Sequence, residues 1–303
     1  MIVFLGLSNN QLPYVQRAKE LGFKTFGVDK SDLAEGWEYC DCGLRAGLDE
    51  VDLVCDNLRG LNVEACISEQ TDSGLVLLGL INSLYELRGP DFLSCSIVRD
   101  KYYQRLYAQR HSIPQPDFST LPIRESFLKH TQFVLKPRKG QSSVDVSFWN
   151  SDCSSEIDIV AGEESKFLIE EEICGNHWSV DGWIERKQVN LTVFTRKLKH
   201  QVARGLDKAL LVFASNQQLR ARFVDFIESV VGAFPVSDTF FHLEFVETQI
   251  GEPHLIEVTW RGGGSGLSSR LATNLTGINT IDLRIKLTGV LPYLGQTQFS
   301  HPN

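Results

Sequence analysis

An α/β fold is predicted for this chain by three observations. Short apolar runs alternate with amphipathic helical stretches up to about residue 97, and the texture changes to closely spaced strands from Gln132 onward. The 303 residues, 42% hydrophobic and 22% charged, suffice for about two domains with real cores. The predicted organisation is a parallel-sheet domain over residues 1–97, followed by α+β segments over 98–170 and 171–303.

Residues 2–7, IVFLGL, form the first strand, and Leu12, Val15, Ala18 and Leu21 give the next helix its apolar face before Gly22 stops it. Lys24–Val28 is the second strand, so strand–helix–strand opens a parallel sheet. Gly6 stands alone where a dinucleotide site needs G-x-G-x-x-G, which leaves Asp29 as either a ribose ligand or, more simply, a solvated strand end. A helix over Leu48–Leu58, a strand at Ala65–Ile67, the polar loop SEQTDSG and a helix over Leu75–Leu84 continue the alternation. The stretch IVRDKYYQRLYAQRHSIPQPDF reads as one helix closed by Pro114 and Pro116, a domain junction. Strands follow at FVLKP, VSFW, FLIEEEI, WSVDGWIE and VNLTVFTR, then a long helix over Gln217–Val231 and a hairpin. A last helix, Thr280–Leu287, precedes the tail QTQFSHPN, which reads as disordered.

Charge and cysteine content narrow the function. With 38 acidic against 30 basic residues the net charge is −8, which argues against a nucleic-acid coat or an anionic membrane surface. The seven cysteines show no disulfide framework or zinc spacing, and they fit free thiols in a reducing compartment. No signal peptide or membrane-length apolar run is visible, so a cytoplasmic location is expected.

Three segments carry chemistry. In FVLKPRKGQSSVDVSF a strand ends at Lys136-Pro137 and a basic loop with Gly140, Ser142 and Ser143 follows. Such a loop offers N–H groups, hydroxyls and positive charge to a polyphosphate, although a solvated basic turn is the plainer reading. In KFLIEEEICGNHWSVDG three acids close a buried strand, either as a solvated face or with one carboxylate and its backbone against an adenine amino group. In HLEFVETQIGEPHLIEVTWRGGGSG the alternation of a hairpin, turning at Ile250 and Gly251, sets Glu244 opposite Glu257. Like charges facing each other destabilise a ladder. A divalent cation, Mg²⁺ or Mn²⁺, would turn that repulsion into the reason for the pair; an ordinary surface turn is the alternative. Arg261 shares the face of Glu257 and Thr259, and Gly262–Gly264 let backbone N–H groups approach an anion.

Other polar groups are less distinctive. The basic run Arg196, Lys197, Lys199, His200 and Arg204 reads equally as a lid over phosphates or as a solvated loop, and 197–210 has no clear period, so a mobile lid is expected there. His242 shares the face of Glu244 as an orienting or simply structural histidine. Ser68, Glu69 and Thr71 are candidates to touch a substrate carboxylate, though polar loop residues often touch nothing.

Taken in order, Lys101 in RDKYY, Lys136 in VLKP, the glutamate strand with GNHWSVDG, and HLEF with LIEVTWRGGGSG resemble the motifs of the ATP-grasp superfamily of carboxylate ligases. Members include D-alanine–D-alanine ligase, L-amino acid ligases, biotin carboxylase and purine-biosynthetic ligases. The resemblance spans most of the chain and implies an ATP-grasp fold, with an N-terminal pre-grasp domain and two α+β subdomains clamping ATP. It implies that Lys101 and Lys136 contact phosphates or the purine edge, with Ser142 and Ser143 in the loop above. Glu170, beside Glu171, would meet the adenine amino group, and the backbone near Ile173 would read the ring. Glu244 and Glu257 would hold Mg²⁺, and Arg261, with Lys197 in the lid, would act on the transferred phosphoryl group. His177 stands where the family usually holds the ribose with glutamate, as in biotin carboxylase-like members. Thr259 replaces a frequent asparagine, a change that leans toward the L-amino acid ligase branch.

The activity so implied is ATP- and Mg²⁺-dependent joining of a carboxylate to an amine through an acyl phosphate, with small-molecule substrates, no nucleic acid or membrane partner, and a possible homodimer. Its rivals are a bicarbonate-using carboxylase, a phosphotransferase and a non-catalytic nucleotide-binding module.

Overall fold

The computed structural model describes residues 1–121, 127, 130–141, 143–150, 163–200, 205–264 and 266–291. Ser142, residues 201–204 and the tail QTQFSHPN, on which sequence expectations rest, lie outside them. The first layer is built from β1 (Ile2–Leu5), α1 (Leu12–Glu20), β2 (Thr25–Val28), β3 (Cys42–Leu44), α2 (Val51–Leu58) and β4 (Ala65–Ile67). Its strands are parallel in the order β3-β2-β1-β4. β1 and β4 are buried throughout, as continuous apolar runs in a sheet covered on both faces should be. The short β3 carries no apolar run, so no periodicity marks it.

After α3 (Leu75–Leu84) the expected single helix is two, α4 (Phe92–Arg99) and α5 (Lys101–Arg110). The break is at Asp100, whose backbone is extended and whose carboxylate accepts from the Tyr102 N–H at 3.0 Å, capping α5. The same carboxylate pairs with both Nε and Nη2 of Arg138, at 3.0 and 2.8 Å. One aspartate therefore starts the helix that carries Lys101 and anchors the loop after Lys136.

Two antiparallel sheets follow. β5 (Phe118–Ser119), β6 (Gln132–Pro137), β7 (Ser147–Asn150) and β8 (Phe167–Glu171) pair in the order β5-β8-β6-β7. β9 (Gly175–Glu185), β10 (Gln188–Lys199), β11 (Asp207–Ala214), β12 (Thr239–Thr248) and β13 (Pro253–Thr259) form the other, in the order β11-β10-β9-β12-β13. Between β11 and β12 runs α6 (Gln217–Ala233), capped by Asn216 and burying Phe223, Ile227 and Val230 against this sheet. Residues 197–199 and 207–210, expected without period, are strand: the alternation that marks a half-buried strand is masked there because β11 is exposed on both faces.

The chain ends the described fold by returning to its start. α7 (Ala272–Thr276) and α8 (Thr280–Leu287) follow β13, and Ile285 joins Ile2, Phe4 and Tyr14 in one apolar cluster. Arg17 of α1 pairs with Asp282 at 2.6 Å, and buried Arg284 pairs with buried Glu69 at 2.5 Å. A second, larger cluster runs from the other face of the parallel sheet through α3 and α4 to α6 and the five-stranded sheet.

Trp260 closes β13 onto this cluster. It is fully buried, meets Phe234 edge-on at 5.8 Å between centroids, and donates its indole N–H to the Ser94 carbonyl at 3.3 Å. Trp260→Ala is expected to lower unfolding free energy by about 3–5 kcal/mol, read from urea denaturation. A loss below about 1 kcal/mol would show that the hairpin does not depend on this anchor.

Candidate active site

The five-stranded sheet brings its polar residues into rows. Pairing of β9 with β10 and β12 aligns Lys197, His177 and Val246; the next row is Thr195, Ser179 and Glu244, and the next Val193, Asp181 and His242. β13 adds Glu257 beside Glu244 and Thr259 beside His242.

The Glu244–Glu257 pairing needs a defect in the strand. The turn centres on Ile250 rather than between Ile250 and Gly251, which moves the register by one residue: Thr248 N–H donates to the Glu252 carbonyl at 2.9 Å, and Gly251 takes φ +87°. Continued regularly, that register would oppose Glu244 to Ile256 and turn Glu257 to the other face. A bulge at Ile256 restores it, since Phe245 pairs with Leu255 while Glu244 pairs with Glu257. The bulge is held from outside, because Leu255 N–H donates to the Pro114 carbonyl at 2.8 Å and Arg105 donates to the Ile256 carbonyl at 2.7 Å.

Repulsion between the facing carboxylates is answered by cations of the chain itself. Lys197 pairs with Glu244, His242 Nε2 lies 3.2 Å from the same oxygen, and Lys101 Nζ lies 3.0 Å from Glu257 Oε1. Burial would raise the Glu244 carboxyl, but Lys197 and His242 hold it well below the usual carboxylate range. Burial lowers and Asp181 and Glu244 raise the His242 imidazole, with a net rise to about 9. His177, half-buried and close to Lys199, falls to about 4 through desolvation and that lysine, and is neutral at physiological pH.

Opposite this face stands the β5–β8 sheet, and between the two lies a cleft of about 480 Å³. Lys101, Lys136, Ser143, Glu170, Glu171, Ile173, His177, Lys197, Glu244 and Glu257 all line it. Lys136 Nζ lies 2.7 Å from Glu170 Oε2, and Arg105 grips both Glu170 oxygens at 2.7 and 3.1 Å. Burial would raise Glu170, yet Arg105 and Lys136 hold it down at about 2; burial, with Arg105 and Lys101 nearby, lowers Lys136 to about 8. Glu170 thus orients Lys136, with both oxygens engaged. Glu171 turns toward His130, whose Nδ1 is 3.6 Å away, at the edge of the sheet. Ser143 meets the far wall, as a Cβ at Gly205 would lie 3.8 Å from its own.

Arg261 is placed differently, outside the cleft lining. Its Nε and Nη2 bind Asp72 at 2.7 and 2.8 Å, and Thr259 Oγ1 donates to the same carboxylate at 2.8 Å. The glycine run does receive anions, but they are the chain's own: Gly262 N–H donates to Glu69 at 3.0 Å and Gly263 N–H to Asp181 at 2.5 Å. A Cβ at Gly263 would lie 2.7 Å from Asp181 Oδ1, so only glycine permits that approach. Glu69 is fully buried and Thr71 turns to Ser73 at 2.8 Å.

Sequence reasoning missed Arg105, Asp181 and Asp72. Arg105 lies one turn after Lys101 on α5, a signal present in the helical period, and Asp181 shares the two-residue period of His177 on β9. Asp72 sits in a loop, where no period marks it.

No protein-family model and no curated protein sequence matches the chain. Solved structures do match in fold. The L-amino acid ligase from Bacillus licheniformis aligns over 95% of this chain and 73% of its own, at TM-score 0.77 and 18% identity. N5-carboxyaminoimidazole synthetase from Staphylococcus aureus, complexed with ADP, aligns over 96% and 78%, at TM-score 0.76 and 14% identity. The biotin carboxylase domain of Hydrogenobacter thermophilus 2-oxoglutarate carboxylase, in complex with MgADP, ADP and bicarbonate, aligns over 98% and 71%, at TM-score 0.75 and 14% identity.

The His242 charge gives a test of the network. Its folded pKa is raised above the ordinary 6.5, so the stabilisation is complete below pH 6.5 and disappears as pH rises through about 9. Lys136, lowered to about 8, acts in the opposite sense over a window from there upward, so the comparison must be with a variant. Relative to His242→Gln, the wild type is expected to lose on the order of 3 kcal/mol of unfolding free energy between pH 6 and 9.5. Parallel pH curves for the two proteins would show that the fold leaves the His242 pKa where it is in the unfolded chain. What the architecture itself establishes is that this chain has the fold of the ATP-grasp ligases.

Proposed function

We propose that the protein is an ATP- and Mg²⁺-dependent ligase that joins a small-molecule carboxylate to an amine, releasing ADP and phosphate. The observation that carries this reading is the convergence of Lys101, Lys136 and Lys197 with Glu244 and Glu257 in one cleft between two sheets. Val134, Phe148, Ile173 and Val246 line the same cleft, so an apolar slot for a purine ring adjoins a charged zone for its phosphates. The ADP and MgADP complexes of structures with this fold agree with that use of the cleft.

The two glutamates fit a hard divalent cation: directly opposed residues place their Cβ atoms about 4.5–5.5 Å apart, and both carboxylates line the cleft. Mg²⁺ bound there would supply charge neutralisation for the transferred phosphoryl group. The chain's own part is positioning. Lys101 and Lys197, now on the glutamates, line the same cleft and would pass to phosphate oxygens if the carboxylates held the cation. Lys136, fixed by Glu170 and Arg105, keeps its place throughout. The substrate carboxylate attacks the γ-phosphate, and the amine then displaces phosphate from the acyl phosphate, so no nucleophilic side chain is required. Residues 1–97, 98–170 and 171–303 would serve as the pre-grasp domain and the two halves of the clamp.

Incubation with ATP, Mg²⁺ and a matrix of amino acids, followed by phosphate release, tests the reaction. Glu257→Gln is expected to cut ADP formation at least 100-fold, and Lys136→Ala to weaken nucleotide binding at least tenfold by calorimetry. Glu257→Gln should also melt slightly earlier without ligand, because Lys101 loses its partner at 3.0 Å. Normal turnover in Glu257→Gln would remove the carboxylate pair from the reaction.

A further inference from the structure

Arg261 already has a donor on each of its three nitrogens engaged. Its side chain is only 11% exposed, its fork is closed by Asp72, and Nη1 donates to the Gly262 carbonyl at 2.9 Å. Yet it continues the strand face of Glu257 and Thr259 just past the end of β13, two same-face steps or roughly 13 Å from Glu257. A guanidinium fork fits one bidentate oxyanion, planar or tetrahedral, and the occupant here comes from a distant part of the chain.

Three features of Asp72 set it apart from a simple tie between layers. It sits in the loop between β4 and α3, where Gln70 holds φ at +57°, a region that non-glycine residues adopt mainly where surrounding contacts impose it. Its backbone N–H donates to Gln141 Oε1 at 3.0 Å, and Gln141 lines the cleft in the loop whose Gly140 carbonyl accepts from Lys101. Its carboxylate also accepts from Thr259, so that one partner remains if Arg261 leaves. By contrast Glu69 is fully buried between Arg284 and the Gly262 N–H, with no such connection to the cleft loop among its described contacts.

The energetics favour exchange over simple release. An unpaired buried guanidinium carries a desolvation penalty of several kcal/mol, so an Arg261 waiting empty would cost stability. A bound oxyanion replaces the aspartate like for like: the fork stays paired and only Asp72 must find water or another cation.

We propose that Asp72 is a positioning residue that holds Arg261 in reserve, its carboxylate filling the fork until a substrate oxyanion, phosphate or carboxylate, displaces it. This selects for ligands able to make both fork contacts at once, and through Gln141 it couples the exchange to the cleft loop. The proposal rests on the ligase reading only for which oxyanion arrives.

Titration calorimetry with inorganic phosphate, and separately with acetate, tests the exchange in wild type, Asp72→Asn, Arg261→Gln and the double variant, each with and without MgADP. Asp72→Asn keeps the shape and removes the competing charge, so at least one oxyanion should bind at least tenfold tighter than to wild type. The gain should vanish in the double variant. A gain for phosphate alone assigns Arg261 to the phosphoryl group, and a gain for acetate alone assigns it to the substrate carboxylate. No gain for either, or a gain that survives Arg261→Gln, overturns the proposal. Should Asp72→Asn fail to fold, hydrogen exchange in the wild type decides: saturating oxyanion should speed exchange over residues 70–74, and unchanged or slower exchange there overturns it. MgADP affinity from the same titrations is a separate readout, whose absence would count against the ligase reading and not against the exchange.

Discussion

Glu244 facing Glu257 is the constraint around which the rest of the molecule is arranged. Two carboxylates directly opposed on a ladder repel, and here the arrangement is reached only through a bulge at Ile256 that undoes the register set by the turn. α5 enforces that bulge through Arg105, and the same guanidinium grips Glu170, which in turn fixes Lys136. Register, lysine placement and the fit between two sheets thus meet at one helix. Asp100 starts that helix, and its side chain also holds the loop after Lys136 by way of Arg138.

A second consequence is that the site is already neutralised. Lys197, Lys101 and charged His242 answer the two glutamates, Asp72 answers Arg261, and Glu69 answers Arg284. The chain supplies for each charge a partner of the kind a metal, a phosphate or a carboxylate would otherwise provide. Such a site can stay folded without ligand, because each of these charges has a partner among the described residues. On the proposed reading, binding would proceed by exchange of partners, which favours ligands that arrive with compensating charge.

Much of this was legible in the residues, and the reasons differ by element. The parallel layer announced itself because β1 and β4 are buried on both faces and read as unbroken apolar runs. The hairpin and its facing glutamates were legible from alternation, although the register at the turn was one residue off and the bulge that corrects it has no sequence mark. β3 and the break at Asp100 were not seen, since one has no apolar pattern and the other is a cap inside a continuous helical period. At the site, lysines and glutamates in ordered motifs could be picked out, but who pairs with whom could not. Glu170 turned out to hold Lys136, and Arg261 to be closed by Asp72, because both partnerships depend on chain segments far apart in sequence.

If ligand binding is partner exchange, then Mg²⁺ and nucleotide must help each other. With the glutamates holding the cation, Lys101 and Lys197 would be free for phosphates, and the phosphates would keep those lysines from returning to the glutamates. Calorimetric titration of ADP at a series of Mg²⁺ concentrations measures this coupling directly. The account predicts weak binding of either alone and an ADP affinity that rises at least tenfold as Mg²⁺ saturates, a coupling of about 1.4 kcal/mol or more. ADP affinity independent of Mg²⁺ would contradict it.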